Sequence, residues 1–136
     1  MQYEQDYILR LIKQVIRALI GILLNKRTTL EYEMPVNNLR TSGDDLLSKL
    51  NSLADAGYIC EAENRLLEAL ECGSEEAFLT ALYFYEHINE YDTDFLEDHH
   101  FSRDEIREGV LLVAKKMGSL PLAAALLDEM GDTEKS

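Results

Sequence analysis

The sequence predicts an all-α fold of five to six helices packed as antiparallel hairpins behind a long amphipathic N-terminal helix. Three observations carry that reading. Apolar residues recur at three- and four-residue intervals in one segment after another, the period of a buried helix face. Helix-start signals precede those segments and glycines close them. No stretch alternates apolar and polar residues over the length of a convincing strand.

Residues 1–27 form the N-terminal amphipathic helix, clearest over Gln5–Leu24. Ile8, Leu11, Ile12, Val15, Ile16, Leu19, Ile20 and Leu23 make one stripe. Arg10, Lys13, Gln14 and Arg17 lie off it, while Leu9, Ala18, Ile22 and Leu24 widen the apolar arc. Residues 28–41 read as a linker. Asn25, Thr28 and Thr29 break the pattern, Pro35 forces extended backbone before it, and Asn37-Asn38 marks a turn.

Residues 42–131 are the helical body. Ser42 and Asp45 have capping-box spacing at the start of the second helix, which carries Leu46, Leu47, Leu50, Leu53 and Ala54 and closes at Gly57, a left-handed cap. A third helix, about Tyr58–Glu71, turns Ile59, Ala62, Leu66, Ala69 and Leu70 inward and stops at Gly73. Ser74 caps the fourth, where Glu75 and Glu76 suit the helix dipole and Phe78, Leu82, Tyr85 and Ile88 face the core. A short irregular or helical piece follows at Asp94–Asp98. Ser102 and Glu105 make the clearest capping box and open the fifth helix, to about Met117. Ser119 or Leu120 caps the sixth, with Pro121 in its first turn and Leu122, Ala125, Leu126 and Met130 along it. Residues 132–136 read as a frayed tail.

Charge divides the chain. Residues 1–27 hold five basic side chains against Glu4 and Asp6, a net +3, which leaves −16 on the remainder of a chain of net −13. That balance argues against nucleic acid as a partner, since phosphate binding needs cations along a face. The N-terminal segment reads neither as a signal peptide nor as a membrane span. Arg10, Lys13 and Arg17 interrupt it, and the uncharged run Ala18–Leu24 falls far short of the ~20 residues a span needs. Cys60 and Cys72, the only cysteines, read as reduced thiols in a cytoplasmic protein, serving as small packing residues. On one helix they would stand about 18 Å apart, too far for a disulfide.

Residues 46–70 resemble one tetratricopeptide unit through Leu46, Leu53, Gly57, Ile59, Ala62, Leu66 and Ala69. Lys49 and Leu50 stand where that family has Leu and Gly, and Ser74 where it has Pro. No second copy follows, since Tyr91 falls at the counterpart of Gly57; the resemblance implies a single hairpin with Gly57 and Ala62 at close helix contacts, not an array. The whole chain is similar to a family of small bacterial proteins of unknown function, common in Gram-positive anaerobes. YEQDYILRLIKQVIRAL at the start, LADAGYICEAENRLLEAL in the middle and FLEDHHFSRDEI later carry that similarity. It implies a bacterial cytoplasmic helical protein and brings no activity, cofactor or site residue.

Candidate chemistry is sparse. His99 and His100 sit beside Glu97 and Asp98, but adjacent histidines point about 100° apart on a helix and no His-x-x-x-His pair exists, so an acidic solvated loop is expected and no metal. Asp92-Thr93-Asp94 opens like a calcium loop, yet Phe95 and Leu96 follow and Glu97 stands where glycine is needed. His87, among Tyr83, Phe84, Tyr85 and Tyr91, reads as a packing residue rather than a catalyst. No phosphate loop, nucleophile elbow or HExxH is present. The expectation is therefore a non-catalytic interaction or scaffolding module with no cofactor, no catalytic residue and no metal ligand. It would self-associate, or bind a protein partner, through Leu9, Ile12, Ile16, Leu19, Ile20, Leu23 and Leu24 of the first helix. The alternatives are attachment of that helix to an anionic membrane surface, which is disfavoured, and an unrecognised metal-dependent enzyme.

Overall fold

A computed structural model describes residues 2–30 and 36–135. Among those residues run seven helices: α1 (Gln2–Leu30), α2 (Val36–Asp55), α3 (Ile59–Leu70), α4 (Glu75–Asn89), α5 (Thr93–Asp98), α6 (Arg103–Lys116) and α7 (Leu120–Lys135). Among the described residues there is no strand. The helix beyond the expected five to six is α5, the segment left between irregular and helical by the sequence.

α4 is the centre. Ten of its residues are buried, from Ala77 to Asn89, so it is apolar nearly all round, as an enclosed helix must be. It packs against α1, α2, α3 and α6, while α1 also packs against α6 and α7. These three neighbours explain the wide apolar arc of α1. Ile12, Val15, Ile16, Leu19, Ile20 and Leu23 are all at most 3% exposed within their own chain.

The punctuation behaves as its chemistry requires. Ser74 accepts a bond from the Ala77 N–H at 3.1 Å, and Ser102 with Glu105 forms a reciprocal capping box. Gly57 takes φ +100°, with its N–H bonded to Ala54 O and that of Tyr58 to Leu53 O, both at 2.9 Å. This is the Schellman arrangement, which satisfies the last carbonyls of α2.

Helix boundaries differ from the sequence reading in three places. α1 runs on to Leu30 and α2 begins at Val36, so helix takes up residues 28–30 and 36–41 of the expected linker, and Ser42 is not a helix start. Asn and Thr each cost a helix less than about 0.7 kcal/mol, which extension of an existing helix absorbs. Pro35 lies outside the described residues. α7 continues to Lys135, through the expected tail. Cys60 and Cys72 are exposed, so neither is the packing residue expected. Among the described residues no helix is long and apolar enough to cross a membrane.

Candidate functional site

Four rows of side chains at four-residue spacing, from three helices, meet where α1, α2 and α4 converge. α1 supplies Lys13 and Arg17, α2 supplies Leu47 and Asn51, and α4 supplies Glu86 with Glu90 and Tyr83 with His87. They line an open groove of about 400 Å³. Arg17 Nε lies 2.7 Å from Glu86 Oε2, and Lys13 Nζ lies 3.4 Å from Glu90 Oε2. The order of these pairs makes α1 and α4 antiparallel. It also gives two basic residues of the cationic helix acidic partners on the body of the same chain.

At the lip of the groove Asp55, the last residue of α2, faces α4. His87 Nε2 stands 2.8 Å from Asp55 Oδ1, and the Tyr91 hydroxyl donates to the same oxygen. The Tyr91 bond, and then His87, hold the Asp55 carboxyl below its ordinary value, while burial and the Asp55 hydrogen bond push the Tyr91 phenol up. An Asp–His pair is a familiar fragment of acid–base machinery. Here the imidazole Nε2 and the phenol are both directed at the carboxylate, and the cluster ties α2 to α4.

The same edge continues as an aromatic ladder at four-residue intervals. Ring centroids are 5.5 Å apart for His87–Tyr91, 4.7 Å for Tyr91–Phe95 and 4.4 Å for Phe95–His99. His99 Nδ1 lies 2.8 Å from the Phe95 carbonyl oxygen, and its ring covers Gly57, where a Cβ would come within 2.6 Å of Nε2. His99 is therefore a packing group in the α2–α3 turn, with one nitrogen on a backbone carbonyl, while exposed His100 stands apart at φ 61°. Ala62 is fully buried, but the neighbour that makes Gly57 close-packed is His99, not the second helix of its hairpin.

Two further polar clusters escaped the sequence reading. Arg103, 4% exposed, donates from Nη1 to Asn89 O at 2.7 Å and Asn89 Oδ1 at 3.1 Å, and from Nη2 to Tyr91 O at 2.6 Å. Asn89 Nδ2 in turn donates to Leu9 O at 3.0 Å. A buried cation thus satisfies the carbonyl end of α4, where the helix dipole welcomes it, and links it through Asn89 to α1. One signal was available: Arg103 is the first residue of a helix, where positive charge is disfavoured unless it serves another element. In the second cluster the fully buried Tyr85 donates to Glu63 Oε2 at 2.9 Å, its ring against Gly109. Burial raises the Glu63 carboxyl, the Tyr85 bond lowers it, and the carboxylates of Glu105 and Glu108 raise it further. Desolvation, then Glu105 and Glu63, also push the Cys60 thiol up, which suppresses its reactive thiolate. Among the described residues no three His, Cys, Asp or Glu side chains are grouped as metal ligands would be.

The seven interface candidates on α1 separate. Ile12, Ile16, Leu19, Ile20 and Leu23 are core residues and cannot face a partner in this fold. Leu9 is half-buried and Leu24 is 42% exposed. The correction is physical: the arc is wide because α4, α6 and α7 all press on it.

Residues 2–118 match DUF6483, a family of unknown function. The chain belongs to this family. The DUF6483 region takes in α1 to α6 and every residue of the groove, the ladder and both polar clusters, and stops short of α7. No curated protein and no solved structure matches the chain.

Proposed function

We propose that this DUF6483 chain is a non-catalytic protein-interaction or scaffolding module of the bacterial cytoplasm. One observation carries the reading: the ionisable side chains of the groove pair with each other across helices. Lys13 meets Glu90, Arg17 meets Glu86, and His87 and Tyr91 meet Asp55. Their chemistry is used to clasp α1, α2 and α4 rather than to converge on a reacting group.

What remains for a partner is the acidic exterior. Glu61 and Glu68 on α3 and Asp104 and Glu108 on α6 are exposed, on a body whose residues beyond 27 carry net −16. That surface suits a basic protein face, by long-range steering and by exclusion of acidic competitors. The tetratricopeptide-like hairpin of α2 and α3 belongs to the same reading as a rigid support. Self-association does too, but with the α1 stripe buried it needs another contact. The membrane-surface alternative loses support for the same reason, because an interfacial helix must keep its apolar face free.

The test is affinity capture from native cells at low and high salt, with wild type and with a Glu61→Lys/Glu68→Lys/Glu108→Lys variant. A stoichiometric basic partner, released by salt and absent from the variant, is the expected outcome. Conversion of a small molecule from native extract, abolished by His87→Gln, would overturn the proposal.

A further inference from the structure

A second cavity, of about 250 Å³, lies where the first turns of α1 meet α5 and the start of α6. Leu96 and Phe101, each at most 3% exposed, and half-buried Ile8 give it an apolar inner wall. Glu97 on α5 and Asp104 on α6, both exposed, give it an anionic mouth. Among the described residues Glu97 has no cationic partner, and Asp104 has Arg107 Nη2 at 3.9 Å, a loose and solvated pair. Arg103 also lines the cavity, but its Nη1 and Nη2 are turned onto the carbonyl oxygens of Asn89 and Tyr91.

We propose that this cavity is the anchor site for one lysine side chain of a basic protein partner. The four-carbon stem lies against Ile8, Leu96 and Phe101, and the ammonium meets Glu97 and Asp104. Size sets the first limit. Pockets for drug-sized ligands begin at about 300 Å³, so this one has the scale of a single long side chain. Chemistry sets the second. The apolar wall excludes a fully hydrated ion, and the anionic mouth excludes an acidic group. Lysine carries both halves, an apolar stem and a charged head. It fits better than arginine, because the two carboxylates stand on different helices. They offer separate acceptors, which suit the three rotatable donors of an ammonium, rather than the single carboxylate that a guanidinium fork grips. The net charge of −13 steers such a cation to the surface. The inference rests on the interaction-module reading and names where its basic partner is held. Its test uses no partner protein, so the two can fail separately.

The probe is lysine blocked at both backbone ends, N-acetyl-lysine methylamide. It is titrated at physiological salt into the isotope-labelled full chain and followed by NMR. The expected results are saturable shifts at the Leu96, Glu97, Phe101 and Asp104 amides, and magnetisation transfer from the Ile8 and Leu96 methyl groups to the methylenes of the probe. Norleucine blocked in the same way keeps the stem without the ammonium and should bind at least about tenfold more weakly. The same loss is expected for the blocked lysine on a Glu97→Gln/Asp104→Asn variant whose spectrum elsewhere matches wild type. Absence of saturable shifts at these amides would overturn the proposal. So would norleucine binding as tightly as lysine, lysine binding that survives the double substitution, or shifts spread over Glu61 and Glu68 in place of the cavity.

Discussion

Gly57 answers to two constraints at once. Its φ of +100° suits no β-carbon, and the space that carbon would fill is occupied by His99 Nε2, 2.6 Å away. Gly57→Ala should therefore destabilise by about 2–4 kcal/mol, part backbone strain and part overlap with the ring. Adding His99→Ala should recover the overlap part alone, which urea unfolding of the two variants and the single His99→Ala control measures. The left-handed turn was legible in the sequence, because glycine after a run of helix-spaced leucines signals it. The second constraint was not, because His99 is forty-two residues downstream and only the tertiary fold brings it back. Glu63 makes the complementary case. Its carboxyl is raised by burial and by Glu105 and Glu108, so the fold favours its protonated form. Such a group adds stability below its ordinary value of 4.5, and that contribution is lost as pH rises through the raised folded value. Glu63→Gln keeps an acceptor for Tyr85 and removes the charge. The variant should thus be more stable relative to wild type at pH 7 than at pH 4, and urea unfolding at both values checks the sign.

At the scale of elements, the helices with a strong period and a chemical stop were readable, and those bounded by weak signals were not. α3, α4 and α6 fall within a residue or so of their expected limits because Gly57, Gly73, Ser74 and the Ser102–Glu105 box leave the backbone one economical ending. The end of α1 and the start of α2 were misread because Asn25, Thr28, Thr29 and Asn37 are poor helix formers rather than helix breakers. The joint between elements had one sign in the sequence, a cation in the first turn of α6, and nothing to say which carbonyls it reaches. Arg103 reaches from the first turn of α6 to the carbonyl oxygens of Asn89 and Tyr91, and Asn89 reaches on to α1. Arg103→Met fills much of the same space without these bonds and leaves buried carbonyls unpaired. It should cost about 2–5 kcal/mol, with amide exchange accelerated first at the C-terminal end of α4.

For the whole molecule, the charge split has a structural resolution. The cationic helix lies along acidic side chains of α4, through Arg17–Glu86 and Lys13–Glu90. The cation of each pair is about half or more exposed to water, so each is worth about 1 kcal/mol, and the pairs orient α1 rather than hold it. Holding it is the task of the buried stripe. The consequence for membranes is direct: with the apolar face enclosed and the net charge at −13, vesicles rich in phosphatidylserine should recover little protein in flotation at physiological salt. Strong recovery, lost when Arg10, Lys13 and Arg17 become Gln, would show that α1 leaves the body. The sequence displayed the stripe in full but not its destination. A wide apolar arc looks the same whether three helices of one chain cover it or one helix of another does. Amide hydrogen exchange across α1 in a dilute sample verified as monomeric separates the two. Enclosure within one chain predicts that the amides from Ile12 to Leu23 exchange as slowly as those of α4 and keep that protection on further dilution. Rapid exchange across Ile12–Leu23 in the monomer, with protection appearing only as concentration rises, would contradict it.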